Sequence, residues 1–228
     1  MKNKIDRLRV AIDGPAASGK NTLAKQIAKK YKLLHLDSGK LYRYFALQVY
    51  QSKDQKVNYT KLKQALKKLT LKKLKDKRLT TETVTKIASI ISKKKKIRQM
   101  LKKVQHDLAY NPPKKFKGSI LDGRDIGTVI IPDAHVKVYL TASLNVRAVR
   151  RFKEYKKLGI KTTLNKVKSD IKRRDYEDTH RKISSLKPAK DAVLLDSSFY
   201  NTKAAFVEID EVIRNKIKLL NATKHKSL

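Results

Sequence analysis

The segment Gly14-Pro15-Ala16-Ala17-Ser18-Gly19-Lys20 constrains this chain more than any other feature. It has the spacing G-x-x-x-x-G-K, and its context is as informative as its letters. Leu8-Arg9-Val10-Ala11-Ile12 before it is a short β-rich run, while Leu23, Ala24, Ile27, Ala28 and Tyr31 after it recur at helical spacing. A strand that passes through a glycine loop into a helix turns backbone amides and a helix N-terminus toward one spot. That arrangement wraps a polyphosphate, with the lysine reaching its β and γ groups. Glycine is scarce enough here to be informative: there are seven in 228 residues, about 3% against a usual ~7%. Five of the seven fall in three short segments, where backbones must take unusual conformations or approach a ligand closely.

The second glycine segment is Leu36-Asp37-Ser38-Gly39-Lys40-Leu41-Tyr42-Arg43, and the third is Leu121-Asp122-Gly123-Arg124-Asp125-Ile126-Gly127-Thr128. Each follows a strand-like run. Taken singly, the second reads equally as a helix cap by Asp37 or Ser38 with Tyr42 buried, and the third as a turn with a surface ion pair. Together they put three loops at strand ends of one sheet, where doubly wound folds hold their ligands.

Leu33 to Leu36 reads as a strand and Leu41 to Val49 as a helix, so the chain opens in βαβα order, the pattern of a parallel sheet. Residues 53 to 112 read as a Lys-rich helical insertion that ends at Asn111-Pro112-Pro113. Strands resume at Ser119 to Leu121 and Val136 to Leu140, helices at about 144 to 157 and 163 to 176, then a strand at Ala192 to Leu195 and a closing helix near 202 to 219. The tail Asn221 to Leu228 is expected to fray. Arg174, Asp178 and Arg181 stand at i, i+4 and i+7 and are expected on one helix face.

Composition narrows the classes. Lys and Arg number 57 and Asp and Glu 20, a net +37, while hydrophobic residues at 40% suffice for a core. The charge leaves two readings open, a polyanion-binding face or lysines that merely solvate helices. No aromatics interleave the lysine runs, so a single-strand stacking platform is not expected. The absence of cysteine excludes disulfides, thiolate metal sites and a cysteine nucleophile, and suits a reducing compartment. No apolar run approaches a membrane span, and the charged start Met1-Lys2-Asn3-Lys4 shows no apolar signal region, so a cytoplasmic protein is expected. His35, His106, His135, His180 and His225 show no metal-ligand spacing.

The chain resembles the bacterial-type cytidylate kinases, a P-loop nucleoside monophosphate kinase family. The resemblance covers nearly the whole length. It is carried by Ile12-Asp13-Gly14 through Lys20, by Leu36-Asp37-Ser38-Gly39 with Tyr42-Arg43, and by Asp122-Gly123-Arg124-Asp125-Ile126-Gly127-Thr128-Val129 with Pro132-Asp133-Ala134. Arg147 with Arg150-Arg151, Arg174-Asp175 with Asp178 and Arg181, and Asp191-Ala192 with Leu195-Asp196-Ser197 extend it. It implies an α/β fold: a P-loop doubly wound parallel sheet of about five strands flanked by helices, with a helical acceptor-binding insertion and a lid. One catalytic unit, 1–228, would comprise a core at about 1–52, 113–146 and 190–228, the insertion at 53–112, and lid helices at 147–189.

The resemblance further implies transfer of the ATP γ-phosphoryl group to CMP or dCMP. Gly14, Pro15, Ala16, Ala17, Ser18, Gly19, Lys20, Asn21 and Thr22 would hold ATP. CMP would be held by Ser38, Arg43, Ser89, Arg98, Arg124, Asp125, Arg174, Asp178 and Arg181, with Ser89, Arg98 and Asp125 reading the base. Lys20, Arg124, Arg181, Arg150 and Arg151 would be catalytic. Asn21 stands where Ser or Thr would normally meet Mg²⁺, so the metal is expected to be held mainly by ATP and waters, with Asn21 or Thr22 as the protein ligand to be decided. A further departure is Thr80, where related sequences often carry Arg. A monomer with no membrane and no specific nucleic-acid partner is expected. Two rivals stand: a kinase of UMP or another small acceptor, and a P-loop protein that binds nucleic acid through its +37 charge.

Overall fold

Val10, Ala11 and Ile12 are wholly buried, and the strand that carries them becomes the centre of the sheet. The structure is a computed structural model, which describes residues 7–52 and 54–225. The charged start Met1 to Asp6, Lys53 and the last three residues of the tail lie outside the described residues. Strands β1 (Leu8–Asp13), β2 (Leu34–Asp37), β3 (Gly118–Gly123), β4 (Val136–Thr141) and β5 (Val193–Asp196) form one sheet in the order β2-β3-β1-β4-β5. β1 runs parallel to β3, with Leu8 opposite Gly118, and parallel to β4, with Val10 opposite Val136; β4 in turn runs parallel to β5. β3 is buried at all its positions, as a parallel strand covered on both faces should be.

The chain divides into two compact units, Met1–Leu36 with Leu108–Leu228, and Asp37–Asp107. In the first, α1 (Lys20–Tyr31) and α8 (Thr202–His225) bury Leu23, Ile27, Ile209 and Ile213 with Ile12, Ile120 and Val138 of the sheet. Each such aliphatic side chain contributes roughly 1.5–3 kcal/mol of burial. Helices α6 (Leu144–Lys157) and α7 (Leu164–His180) pack on each other through Ala148, Val167 and Ile171. In the second unit, α2 (Ser38–Tyr50) is the axis, with Leu41, Phe45 and Ala46 wholly buried. Against it pack α3 (Tyr59–Lys67), α4 (Glu82–Ile91) and two 3₁₀ turns, Lys73–Lys75 and Lys77–Thr80. α5 (Lys95–Tyr110) buries Ile97 and Leu101.

Two local expectations are corrected, and one feature is new. α7 runs on to His180 and stops there, because Arg181 is extended (φ −66, ψ 140), so Arg181 does not share the helix face of Arg174 and Asp178. α8 continues to His225, so Asn221 to His225 are helical and not frayed. Ile126–Ile130 forms a short π-helical turn that periodicity did not announce. No helix among the described residues is long and apolar enough to cross a membrane.

Candidate active site

The site begins at the end of β1, where Asp13 is buried and its two oxygens accept from the amides of Ile126 (2.8 Å) and Gly127 (2.7 Å). Burial pushes the Asp13 carboxyl up to about 6, against the pull of those two amides. The next residue must be glycine. A Cβ on Gly14 would lie 2.0 Å from the carbonyl oxygen of Leu140 in β4, and its φ is +149°. Gly19 is set at φ +95° as the N-cap of α1 and offers no side-chain cap, and the helix has no acid in its first turn. A helix N-terminus with no side-chain cap and no acid in its first turn suits an anion.

Lys20 is buried, its ammonium donating to the Pro15 carbonyl (2.6 Å) and the Ser18 hydroxyl (3.1 Å) of its own loop. Burial, with Arg124 beside it, pushes Lys20 well below the usual lysine range, against Asp122, Asp13 and Asp178. Arg124, at the end of β3, donates from Nε to Asp178 (2.7 Å). Asp178 also accepts from Arg181 (3.4 Å), whose Nε donates to the Ser184 carbonyl (2.6 Å). Burial alone would raise the Asp178 carboxyl, yet Arg124, Arg174 and Arg181 outweigh it and hold it below the usual carboxylate range. Lys20, Arg124, Arg174, Asp178 and Arg181 are thus brought into one electrostatic network. Asp125 is buried directly after Arg124 and its carbonyl accepts from Val129 and Ile130.

The remaining arginines behave differently. Arg150 is anchored to Ser197 through its hydroxyl (3.0 Å) and carbonyl (2.7 Å), and reaches the Ser18 carbonyl at 3.5 Å. Arg151 pairs with Glu154 on its own helix and lies over Tyr155, apart from this network. Arg147, to which sequence reasoning gave no role, is buried and ties three elements together: it donates to Ala142 (2.7 Å), to Ala16 in the glycine loop (3.3 Å) and to Asp175 on α7 (2.6 Å). Asp13 and Ser197 were likewise quoted in motifs without a role. Ser197 donates to the carbonyls of Ser18 (3.3 Å) and Thr141 (3.0 Å), so it fastens the loop to β4.

In the second unit Asp37 caps α2 by accepting from the Lys40 amide, and Tyr42 is buried, as the capping reading had it. Ser38 donates to Gln105 at 2.5 Å, Arg43 to the Gly39 carbonyl (3.2 Å) and Asp37 (3.5 Å). Arg98 is buried, donates to the Ser92 carbonyl (3.1 Å) and stands over the Tyr42 ring. Ser89 lies on α4, with its carbonyl accepting from Ser92.

A family model described as "Cytidylate kinase" matches residues 10–219. The chain belongs to the cytidylate kinase family. Curated proteins named cytidylate kinase resemble it along most of their length. That of Rhodospirillum rubrum is 38% identical over 207 residues, covering 91% of this chain and 97% of its own. Those of Rhodopseudomonas palustris and Streptococcus mutans are each 40% identical, covering 90% and 84% of this chain and 96% and 89% of theirs. Among solved structures, an uncharacterized protein from Eubacterium ventriosum matches with a TM-score of 0.53 at 12% identity, covering 91% of this chain and 99% of that one, which speaks to the fold alone. As a cytidylate kinase family member the chain has an ATP-dependent kinase fold with a nucleotide acceptor.

The donor set around the loop also bears on Mg²⁺. The described residues contain no cluster of three or more His, Cys, Asp or Glu side chains, and both oxygens of Asp13 are taken by amides. That fits an ion carried in on the triphosphate with its waters, which needs few protein ligands.

Proposed function

We propose that this member of the cytidylate kinase family transfers the γ-phosphoryl group of ATP to the phosphate of CMP or dCMP, releasing ADP and CDP or dCDP. One observation supports the assignment of residues: Lys20 after the glycine loop, Arg124 after β3, and Arg174, Asp178 and Arg181 on and just after α7 form a single electrostatic network. An acceptor phosphate oxygen attacks the γ-phosphorus while the bond to the β–γ bridging oxygen breaks and ADP leaves. The acceptor is already an anion, so no strong base is required, and catalysis is positioning with charge neutralisation.

Gly14 to Thr22 would cradle ATP, and its phosphates would favour the charged form of Lys20, opposing the burial and the Arg124 charge that lower its pKa. Arg124 and Arg181 would hold the transferring group, for which planar guanidinium donors suit phosphate oxygens. Arg150 and Arg151, on the lid helices within 147–189, would act on the donor side. The insertion at 53–112 would take the acceptor, with Ser38, Arg43 and Arg174 on CMP's phosphate and sugar side and Asp178 on the ribose hydroxyls. Ser89, Arg98 and Asp125 would read the base: cytosine offers an amino donor to a carboxylate and acceptors to an arginine. Mg²⁺ would neutralise phosphate charge, with the Asn21 amide oxygen or Thr22 hydroxyl as its protein contact. We propose a monomer, and the lack of cysteine agrees with a cytoplasmic enzyme.

ADP release measured with CMP, dCMP, UMP and AMP tests this. CMP and dCMP should lead; a faster UMP or AMP reaction, or release indifferent to acceptor, overturns the reading. Asp125→Asn should lower the CMP over UMP ratio in kcat/KM by about 5- to 150-fold, the cost of one unpaired buried polar group.

A further inference from the structure

Every lysine from Lys56 to Lys103 is exposed. That stretch holds two acids, and each is engaged locally, Asp76 with Arg78 (2.6 Å) and Glu82 with Lys86 (2.6 Å). Part of the excess, including the run Lys93 to Lys96, lies where two helices begin. Lys96 places its ammonium 4.5 Å from the centre of the Tyr59 ring, so the starts of α3 and α5 lie side by side. Neither helix has an acid in its first turn. α3 instead carries Lys61 there, and α5 carries Lys95 and Lys96 directly after Lys93 and Lys94. Cations at a helix N-terminus oppose its dipole, where an anion would be favoured. Nearby Arg98 is turned inward to the Ser92 carbonyl, so this lysine surface is separate from the side chain assigned to the base.

We propose that this face, centred on Lys93 to Lys96 and the start of α3, docks a nucleic-acid duplex through its phosphate backbone without reading sequence. The inference goes beyond the kinase reading and is independent of it. A single small anion would neutralise one or two of these lysines and leave the others repelling one another, whereas a row of phosphates matches their spread and releases its counterions. Unstacked single strands are disfavoured because the one ring at the cluster, Tyr59, is already covered by Lys96, and the chain has no Trp. A lipid surface is disfavoured because insertion needs a row of apolar side chains, and Ile90 is the exposed aliphatic side chain described in this stretch.

The test is fluorescence anisotropy of labelled RNA and DNA duplexes of mixed sequence, titrated with the full chain from low to physiological salt. Dissociation constants of about 1–100 μM at physiological salt are expected, steeply salt-dependent and nearly equal for RNA and DNA. Replacing Lys93, Lys94, Lys95 and Lys96 by Gln should weaken binding about tenfold or more and flatten the salt slope by about 3. Lys61→Gln with Lys63→Gln should act in the same direction to a smaller extent. A control with Lys25, Lys29, Lys203 and Lys216 replaced by Gln removes the same charge from exposed positions of the first unit and should cost threefold or less. All variants should keep CMP turnover, which reports that they are folded. Equal losses in cluster and control variants, affinity weaker than about 1 mM, a tenfold preference between RNA and DNA, or tighter binding to phosphatidylserine vesicles than to duplex would each overturn the proposal.

Discussion

Arg147 and Lys96 are both cations at the first turn of a helix, and they are spent in opposite ways. Arg147 is sealed among the Ala142 and Ala16 carbonyls and the Asp175 carboxylate, while Lys96 lies in water over a tyrosine ring. The contrast extends to their units. Around the glycine loop, positive charge is carried largely by arginines whose planar donors are already aimed and held by carboxylates. Across Asp37–Asp107 it is carried by lysines that point outward with little acid among them. Fixed geometry for a reacting phosphate demands the first kind of charge; diffuse attraction needs only the second.

Lys20 is the exception that should show the largest effect, a lysine buried among the arginines. Lys20→Ala is expected to lower kcat roughly a thousandfold or more with the fold retained, because its charge acts on the developing transition state. Near-normal turnover would remove it from the mechanism. The contrast can next be broken by truncation. Arg147→Ala leaves Asp175 uncompensated in a mostly buried pair and should destabilise by about 3 kcal/mol in urea unfolding. Lys86→Ala, which breaks an exposed pair with Glu82, should cost less than about 0.5 kcal/mol.

Asp13 sharpens the comparison from the acidic side. Its folded pKa, about 6, lies above the ordinary aspartate value of 3.8. The stability this group favours is thus complete below about pH 4 and is lost as pH rises through 6, roughly 3 kcal/mol in all. The fold tolerates that loss because only the ionised carboxylate accepts from both amides of the loop that follows Arg124 and Asp125. Asp13→Asn should therefore gain about 2 kcal/mol on the wild type between pH 4.5 and 7.5, while kcat/KM for CMP falls roughly 10- to 100-fold as the loop loses an anchor. A stability difference flat in pH would show that Asp13 titrates normally. The smallest effect expected is that of Asn21→Ala, within about threefold in kcat; a large rise in the Mg²⁺ needed would make the amide oxygen a ligand.

What could be read in advance follows the range of each interaction. The loop from Gly14 to Lys20 and the strand runs are local signals of spacing and residue type, and β1, β2 and α6 stand within a residue of where pattern put them. The family motifs carried Arg124 and Asp178 into view. The π-helical turn at Ile126–Ile130 was not legible, because it depends on a carboxylate 113 residues away. Nor was the role of Arg147, whose bond to Ala16 spans 131 residues. Arg181 left the helix because its guanidinium meets the Ser184 carbonyl in a turn with Ser184 at φ +53°, and i, i+7 spacing says nothing of that.

The strand order has a consequence for how the chain must be made. β1 is central, yet its partners are β3, which starts at Gly118, and β4, which starts at Val136. During synthesis Val10 to Ile12 emerge first and have no neighbouring strand until more than a hundred further residues follow. At about 5–20 residues per second that is a wait of roughly 5–20 s. In that interval Asp37–Asp107, whose α3 and α4 pack on α2 through contacts close in sequence, is complete and free to fold ahead of the sheet. The lysine-rich unit is thus finished while the strand that leads into the nucleotide loop still waits for its partners.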